Sequence, residues 1–303
     1  MKWTEQDIPD QTGRGAIVTG SNSGIGYETA RILAHKGADV VLACRSTEKG
    51  QAALSKIYAE KPKGHVSFSA LDLSDLESVR DFAAKFSGAH QKLDLLINNA
   101  GVMVPPESKT TQGFELQFGV NHLGHFALTS HLSGLLVQTP GARVVNLSSL
   151  AHRNGKIDFD DLNFEKRGYS PWAAYGQSKL ANLLFTQELQ NRFVLGGVNA
   201  MATSAHPGWT KTDLQRTSWY MRALNPLMAM KPSQGALPTL RAATDPELNG
   251  GEYFGPHRLQ EMNGYPVTAN RAEAATNMSD AQRLWQVSEK LTGVKFELSR
   301  SAA

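Results

Sequence analysis

The chain has 303 residues, 41% of them hydrophobic, and a formal net charge of +3 from 31 basic and 28 acidic side chains. A chain of this length and composition can bury one large core, so we expect a single domain over residues 1–303. The charges are scattered and no basic run is interleaved with aromatic residues, which argues against a nucleic-acid partner. The single cysteine, Cys44, excludes an internal disulfide and a cysteine metal cluster, and we expect no metal.

The N-terminal segment Met1 to Arg14 is polar and acidic residues interrupt it, so it lacks the basic start and apolar stretch of a signal peptide. No window reaches the roughly 18 consecutive apolar residues that a membrane span needs. We therefore expect a cytoplasmic protein without a membrane span. No repeat, low-complexity tract or linker divides the chain, and the tail 299–303 is expected to be frayed.

Apolar, β-branched runs alternate with long amphipathic stretches along the chain. This alternation predicts an α/β fold with a doubly wound, Rossmann-like parallel sheet and helices on both faces. An edge strand that includes Glu252 to Phe254 would bring the sheet to about seven strands. Ligands of such sheets bind beyond the carboxyl ends of the strands, where the unusual residues of this chain fall. The other predicted strands are 16–19, 40–43, 66–71, 93–97, 143–147 and 198–203.

A glycine-rich turn lies between the first predicted strand and the helical pattern Tyr27 to Lys36. Glycine lets the backbone turn tightly and approach a pyrophosphate, while a helix that begins at about Ile25 points N–H groups at the anion. The spacing is Gly-x-x-x-Gly-x-Gly, which differs from the commoner Gly-x-Gly-x-x-Gly fingerprint. The predicted cofactor-binding residues of this turn are Gly20, Ser21, Asn22, Ser23, Gly24, Ile25 and Gly26.

The end of the second predicted strand bears on which dinucleotide fits. Folds that prefer NAD usually place an acidic residue there for the ribose hydroxyls, whereas this chain has Cys44 followed by Arg45. A guanidinium binds a 2′-phosphate through charge-assisted hydrogen bonds, and a carboxylate would repel it. We therefore predict that NADP(H) is preferred over NAD(H). The alternative is that Arg45 is only a solvated residue at a helix start.

Tyr175 and Lys179 are four residues apart among good helix formers, so their side chains share one helix face. Reduction of a carbonyl needs a proton for the oxygen, and a phenol with a pKa near about 10 is a poor donor at neutral pH. Positive charge on Lys179 and on an oxidised nicotinamide would lower that pKa. Tyr175 is therefore the predicted general acid/base. Ser149, at the end of the fifth strand, is predicted to donate to the developing oxyanion, with Ser148 as the competing residue or as a cap of the following turn.

Four motifs together resemble the short-chain dehydrogenase/reductase family from about residue 13 to about residue 255. The resemblance implies a dinucleotide-binding and catalytic core over 13–208, and it favours Ser149 over Ser148. It also implies that the main chain of Asn121 holds a water that links to Lys179. The four motifs are the glycine turn, Asn98-Asn99-Ala100-Gly101, Val145-Asn146-Leu147-Ser148-Ser149 and Tyr175-Gly176-Gln177-Ser178-Lys179.

The resemblance further implies cofactor contacts after several strands. Asp72 matches the position whose carboxylate meets the adenine amino group, although a cap of the next helix is an equal alternative. The motif Pro207-Gly208 would lie beside the nicotinamide, where the Thr210 backbone and the Thr212 hydroxyl hold the carboxamide. His206 and Trp172 are expected to have structural roles. The implied contacts outside the glycine turn are Arg45, Asp72, Leu73, Asn99, Ala100, Gly101, Tyr175, Lys179, Pro207, Gly208, Thr210 and Thr212.

The segment between Ser149 and Tyr175 is longer than in the short form of the family, and with Ala43 to Ser46 it resembles the retinol-dehydrogenase-like branch. We expect an NADP(H)-dependent oxidoreductase that interconverts a carbonyl and an alcohol on a small or lipophilic substrate. A retinol or steroid dehydrogenase is one alternative, and a non-catalytic NADP(H)-binding regulator is another. The helix of Tyr175 forms a subunit interface in many relatives, so a homodimer or homotetramer is expected.

Apolar residues cluster after the sixth predicted strand, in region 209–245, where the family builds a variable substrate lid. A lid over an apolar substrate competes evenly with a packed core or a subunit contact. A membrane-surface helix ranks last because the segment has few basic residues. The cluster consists of Trp209, Trp219, Tyr220, Met221, Leu224, Leu227, Met228 and Met230.

Overall fold

The computed structural model describes residues 2–211 and 229–298. Within them, eight strands form one sheet in the order β3-β2-β1-β4-β5-β6-β7-β8. Neighbouring strands from β3 to β7 pair in parallel, and β8 pairs antiparallel with β7. The predicted Rossmann-like α/β sheet is therefore confirmed. The strands are β1 Gly15–Thr19, β2 Asp39–Cys44, β3 Val66–Ala70, β4 Leu95–Asn98, β5 Ala142–Leu147, β6 Ala200–Ala205, β7 Tyr253–Arg258 and β8 Asn263–Thr268.

Helices pack on both faces of the sheet. The described helices are α1 Gly24–His35, α2 Thr47–Ala59, α3 Leu76–Ala89, α4 Leu116–Phe118, α5 Gly124–His131, α6 Ser133–Gln138, α7 Pro171–Leu195, α8 Pro232–Gly235, α9 Leu237–Thr244 and α10 Met278–Thr292. A π-helical turn, Gly119–Leu123, joins α4 to α5, and a 3₁₀ turn, Leu150–Asn154, follows β5. Side chains of α1, α2 and α9 pack in one hydrophobic core and those of α3, α5, α7 and α10 in a second on the opposite face, while α4, α7 and α10 also contribute to a third.

Strand β4 illustrates why a continuous apolar run suits the middle of this sheet. Leu95 and Ile97 pack in the core with α1, while Leu96 between them packs in the opposite core. All three side chains are fully buried. Burial of each such side chain contributes about 1.5–3 kcal/mol. The alternation therefore ties the layers on both faces to the same strand.

The eighth strand is an addition to the predicted seven. It contains Gly264 and Pro266, and Pro266 lies opposite Pro256 of β7, with a register shift between Pro256 and Arg258. Proline cannot donate to a ladder, so in the sequence this stretch has the pattern of a turn. An edge strand tolerates proline because one side of its backbone needs no strand partner.

Part of the predicted lid lies outside the described residues. This applies to Thr212 and to the lid residues Trp219, Tyr220, Met221, Leu224, Leu227 and Met228, as well as to the tail 299–303. Among residues 2–211 and 229–298, no helix combines the length and the apolar composition that crossing a membrane requires.

Candidate active site

Two cavities meet beyond the carboxyl ends of the strands. The first is a cleft of about 500 Å³ that runs past β1, β2 and β4, and the second is a cavity of about 480 Å³ beside β5 and β6. The residues that line both are Ile25, Met103, Ser148, Tyr175 and Pro207. We call the first the cofactor cleft and the second the substrate cavity. Their junction is where two ligands would come into contact.

The glycine turn forms one wall of the cofactor cleft. Gly20 has a φ of +66°, and a Cβ there would lie 2.8 Å from the Cα of Ala100. A Cβ on Gly26 would collide with Asn99 and with the carbonyl of Gly20. The turn therefore packs directly on the loop after β4, and Gly20 and Gly26 permit this close approach.

Helix α1 begins at Gly24, close to the predicted Ile25. Its N-cap residue, Ser23, makes no side-chain capping hydrogen bond, which leaves the first-turn N–H groups available to an anion. Six of the seven predicted turn residues line the cleft: Gly20, Asn22, Ser23, Gly24, Ile25 and Gly26. The seventh, Ser21, is fully buried and its hydroxyl is enclosed by protein, so its side chain is packed rather than directed at the cleft. This arrangement fits a dinucleotide pyrophosphate.

A basic corner closes the cleft after β2. Arg45 lines it as predicted, beside two residues that were not predicted, Ser46 and Lys49. Ser46 caps α2 by accepting a hydrogen bond from the Lys49 N–H at 3.3 Å. Arg45 and Lys49 are both exposed. A second basic residue one helical turn after Arg45 is the signal in the sequence that pointed to this corner.

Asp72 and Leu73 line the cleft after β3. The Oδ1 of Asp72 accepts hydrogen bonds from the N–H and the hydroxyl of Ser74, at 2.9 and 2.6 Å. Helix α3 is capped by Asp75, whose carboxylate accepts from the Glu77 N–H at 3.0 Å. The helix-cap alternative for Asp72 is therefore wrong, and its carboxylate is held in a local turn at the cleft wall.

The loop after β4 brings Asn99, Ala100 and Gly101 into the cleft, as predicted. The N–H groups of Asn99 and Ala100 both donate to the Thr19 hydroxyl at 2.9 Å. The Asn99 side chain donates to the Thr19 carbonyl at 2.7 Å. These bonds join the loop to the end of β1 and so fix the position of one cleft wall relative to the other.

Helix α7 carries Tyr175 and Lys179 to the junction of the cavities. Ser170 caps the helix and Pro171 occupies its first turn, where a missing N–H costs nothing. Tyr175 is 5% exposed and Lys179 is 4% exposed. The Nζ of Lys179 lies 5.6 Å from the centre of the Tyr175 ring and donates to the Leu147 carbonyl at 3.2 Å. The predicted pair is therefore brought together.

The two serines after β5 have different hydrogen-bond partners. Ser149 lines the substrate cavity and caps the following 3₁₀ turn, accepting from the Ala151 N–H at 3.3 Å. Ser148 instead donates its hydroxyl to the Lys179 carbonyl at 2.8 Å. The expectation that Ser148 caps the turn is therefore wrong. Ser149 is the hydroxyl that remains for a ligand beside Tyr175.

Burial controls the charges of the Tyr175–Lys179 pair. It raises the pKa of Tyr175 to about 12, with a partial offset from the Ser149 hydroxyl. It also lowers the pKa of Lys179 to about 8. Burial therefore keeps Tyr175 neutral in the protein alone, and the lowering of the phenol pKa by Lys179 together with an oxidised nicotinamide stays a prediction.

Asn121 lies within the π-helical turn and is fully buried. Its side chain accepts from the Val102 N–H at 2.8 Å and donates to the Val102 carbonyl at 3.0 Å. It also donates to the Ser178 hydroxyl at 2.9 Å. Asn121 therefore links the cleft loop to α7, and its predicted water contact to Lys179 stays a prediction.

The segment after β6 borders the substrate cavity with Pro207, Gly208 and Thr210. Gly208 has a φ of +62°, and a Cβ there would lie 2.6 Å from the Met262 carbonyl. Glycine is required at this close approach. Thr212, the remaining predicted contact, lies outside the described residues.

Trp172, which is expected to have a structural role, lines the substrate cavity. Its ring lies 6.2 Å from that of Tyr175 at an angle of 80°, and the side chain is 43% exposed. Trp172 lies three residues before Tyr175 on the same helix, and this spacing indicates that both side chains share one helix face. Further cavity residues that were not predicted as site residues are Met103, Leu150, Ala151, Asn154, His206 and Met262.

Cleft and fold together define a dinucleotide-binding protein of the Rossmann class. The family model described as short chain dehydrogenase matches residues 14–223. Retinol dehydrogenase 12 of Mus musculus is 45% identical over 300 residues, covering 97% of this chain and 90% of the relative. Retinol dehydrogenase 13 of Homo sapiens is 44% identical over 294 residues, covering 93% and 86%.

Solved structures agree with these matches. A crystal structure of an uncharacterized protein from Mycobacterium paratuberculosis has 43% sequence identity and a TM-score of 0.84, covering 98% of this chain and 100% of that one. A short chain dehydrogenase from Shigella flexneri complexed with NADP has 25% identity and a TM-score of 0.66, covering 81% and 98%. The chain therefore belongs to the short-chain dehydrogenase/reductase family of oxidoreductases, and its branch is the retinol-dehydrogenase-like one. Members of this family use a nicotinamide cofactor.

Proposed function

We propose that the protein is an NADP(H)-dependent oxidoreductase that interconverts a carbonyl and an alcohol on an apolar substrate. The observation that carries this proposal is the place of Tyr175, which lines both the cofactor cleft and the substrate cavity. A proton donor at that junction can reach a substrate oxygen while the cofactor lies beside the substrate carbon. Bound nicotinamide supplies the hydride.

Three residues of the chain handle the oxygen and its proton. The Ser149 hydroxyl donates to the carbonyl oxygen and fixes it near Tyr175. Tyr175, neutral because burial raises its pKa to about 12, gives its proton to the oxygen as the alkoxide forms. The Lys179 ammonium stabilises the phenolate that results, since an opposite charge nearby favours the ionised form. The alcohol oxidation runs through the same steps in reverse.

The substrate proposal follows from the walls of the substrate cavity. Its described lining contains no Asp, Glu, Lys or Arg, and bulky apolar groups include Met103, Trp172 and Trp209. Such walls favour an uncharged, apolar carbonyl compound. The relatives named retinol dehydrogenases support a retinol or steroid dehydrogenase as the second candidate.

The preference for NADP(H) rests on the basic corner of the cofactor cleft. Arg45 and Lys49 provide two positive charges there, and Asp72 is the single acidic residue among the described cleft residues. A 2′-phosphate gains charge-assisted hydrogen bonds from such a corner. Adenine would lie towards Asp72 and Leu73, and the nicotinamide towards Pro207.

The proposed activity is tested by following NADPH oxidation, with NADH in parallel, across aromatic ketones, aliphatic aldehydes, quinones, steroids and retinal. Turnover with NADPH preferred is the expected result. Preference for NADH would contradict the assignment of Arg45. Tight NADPH binding without turnover of any compound would favour the non-catalytic regulator.

We further propose a homo-oligomer, which the family resemblance implies for the helix that carries Tyr175. Light scattering of the purified protein tests the assembly. A single species near 33 kDa, the mass of one chain, would contradict it.

The rate of reduction is expected to fall as the pH rises through about 8. Burial lowers the pKa of Lys179 to about 8, so the ammonium that stabilises the Tyr175 phenolate is lost above that pH. A pH profile of kcat/KM for the carbonyl substrate measures this limb. The arginine of the Lys179→Arg variant keeps its charge at higher pH. The fall in kcat/KM should therefore occur at a higher pH in this variant, even if its maximal rate is lower. A limb at the same pH in both proteins would contradict the assignment.

A further inference from the structure

The turn between β7 and β8 has an unusual backbone. Three consecutive residues without a glycine among them, Leu259, Gln260 and Glu261, have φ values of 51°, 54° and 68°. This left-handed region is unfavourable for side-chain-bearing residues and persists only where the surroundings hold it in place. The turn places the Glu261 side chain inwards, and the residue is only 8% exposed.

The Glu261 carboxylate accepts four hydrogen bonds. Oε2 accepts from Arg153 at 2.8 Å and from His206 at 3.1 Å. Oε1 accepts from the N–H and the side-chain amide of Asn270, both at 2.9 Å. Burial alone would raise its pKa, but these donors and the charge of Arg153 outweigh burial and lower the pKa to about 2. The group is therefore ionised, and both oxygens are fully used.

His206 connects Glu261 to the Pro207-Gly208 segment beside the substrate cavity. Because its Nε2 donates to the carboxylate, its Nδ1 is free to accept, and the Gly208 N–H donates to it at 3.3 Å. The Trp209 N–H donates to the Met262 carbonyl at 2.8 Å. Gly255 makes room for the imidazole, since a Cβ there would collide with Nε2 of His206.

The same turn also reaches the segment that carries Ser149. Arg153 belongs to the 3₁₀ turn that Ser149 caps. The neighbouring His152 donates from Nδ1 to the Ser149 carbonyl at 2.7 Å, and its Nε2 accepts from the Ala272 N–H at 3.2 Å. The chain from Glu261 to Ala272 thus holds the Ser149 segment and the Pro207-Gly208 segment at the same time.

We propose that Glu261 is a positioning residue that fixes the Pro207-Gly208 segment, and with it the nicotinamide end of the cofactor, relative to Ser149. This inference rests on the proposed function. Glu261 lines neither cavity and acts through His206 and Arg153. Its removal should therefore affect the nicotinamide end of the cofactor and leave the adenosine end, which lies at the opposite end of the cleft, unchanged.

Glu261→Gln tests this with two ligands, NADPH and 2′-phospho-ADP-ribose, which lacks the nicotinamide. The amide replaces one acceptor oxygen by a donor, so either Asn270 or the His206–Arg153 pair loses its acceptor. Calorimetric titration should show the Kd of NADPH raised about tenfold and the Kd of the fragment changed less than about twofold. If the enzyme turns over, its kcat should fall by a larger factor than its KM for the carbonyl rises.

Glu252→Gln is the matched control. The Glu252 carboxylate accepts two hydrogen bonds, both from backbone N–H groups, of Asn249 at 2.8 Å and Gly250 at 2.9 Å, and hydrogen-bonds to neither His206 nor Arg153. Its Kd values for both ligands should match those of the wild type. Asn270→Ala provides a milder second variant at an exposed residue, with a two- to threefold loss for NADPH alone expected from one lost hydrogen bond.

Equal weakening of both ligands in Glu261→Gln, or of neither, would overturn the proposal. The proposal would also be overturned if the wild-type protein bound the fragment as tightly as NADPH. The nicotinamide would then contribute nothing to the binding free energy. If Glu261→Gln does not fold, Asn270→Ala decides instead: equal changes in the Kd of NADPH and of the fragment would overturn the proposal. Absence of turnover would refute the proposed function while leaving the comparison of the two ligands valid.

Discussion

Replacement of Tyr175 by Phe is expected to lower kcat by about a thousandfold while the Kd of NADPH changes only a few-fold. The variant keeps the aromatic ring that packs at the junction of the cavities and loses only the proton donor. General acid catalysis by a positioned side chain contributes roughly 10² to 10⁴ in rate. Steady-state kinetics with the best carbonyl substrate, together with a fluorescence titration of NADPH, measure both quantities.

Tyr169→Phe is the control for this substitution. The Tyr169 hydroxyl donates to Glu115 at 3.2 Å and accepts from Gln117 at 3.2 Å, and it lines neither cavity. Loss of this hydroxyl should leave kcat within a few-fold of the wild type. Unchanged biological activity of Tyr175→Phe with retained NADPH binding would refute catalysis and favour the regulator.

Replacement of Arg45 by Asp is expected to reverse the cofactor preference. The ratio of kcat/KM for NADPH to that for NADH should fall by about a hundredfold or more, because a guanidinium contact with the 2′-phosphate is exchanged for a repulsive carboxylate. The new carboxylate would also accept from the ribose hydroxyls of NADH. Initial rates with each cofactor at fixed ionic strength give the ratio.

Substitutions of Lys49 and Lys56 on α2 serve as comparisons for the Arg45 variant. Lys49 lines the cleft, so Lys49→Met should lower the ratio less than tenfold, since an exposed ammonium on a flexible stem makes a weaker contact than a guanidinium. Lys56 is exposed on the same helix and lines neither cavity, so Lys56→Met should leave the ratio unchanged. Equal effects of all three substitutions would mean that only the net charge of the surface matters.

The sequence predicts the parts of the site that lie within one strand–turn–helix unit. The role of Gly20 and Gly26 can be predicted from local sequence alone, because the strand before them and the helix after them already define a phosphate-binding turn. Tyr175 and Lys179 were predicted because helical spacing alone places them on one face. Local chemistry was sufficient in both cases.

Features that depend on tertiary packing could not be predicted from the sequence. The pKa of Tyr175 depends on how completely the surrounding chain excludes water, and no spacing encodes that. The partner of the Ser148 hydroxyl is a carbonyl of α7, which only the folded sheet brings near. Glu261 was not singled out, because a carboxylate in a polar loop has the same pattern whether it is solvated or buried against a histidine.

The outer edge of β8 bears on how copies of the chain can associate. Two of its carbonyls are already used, since Gln234 donates to Gly264 at 3.2 Å and Arg241 donates to Pro266 at 2.8 Å. Pro266 has no N–H to offer to an incoming strand. Extension of the sheet by strand addition from another copy is therefore disfavoured at this edge, which protects the protein from edge-to-edge aggregation. A symmetric assembly that includes this end of the sheet is therefore favoured through side-chain contacts over a continuous intermolecular ladder.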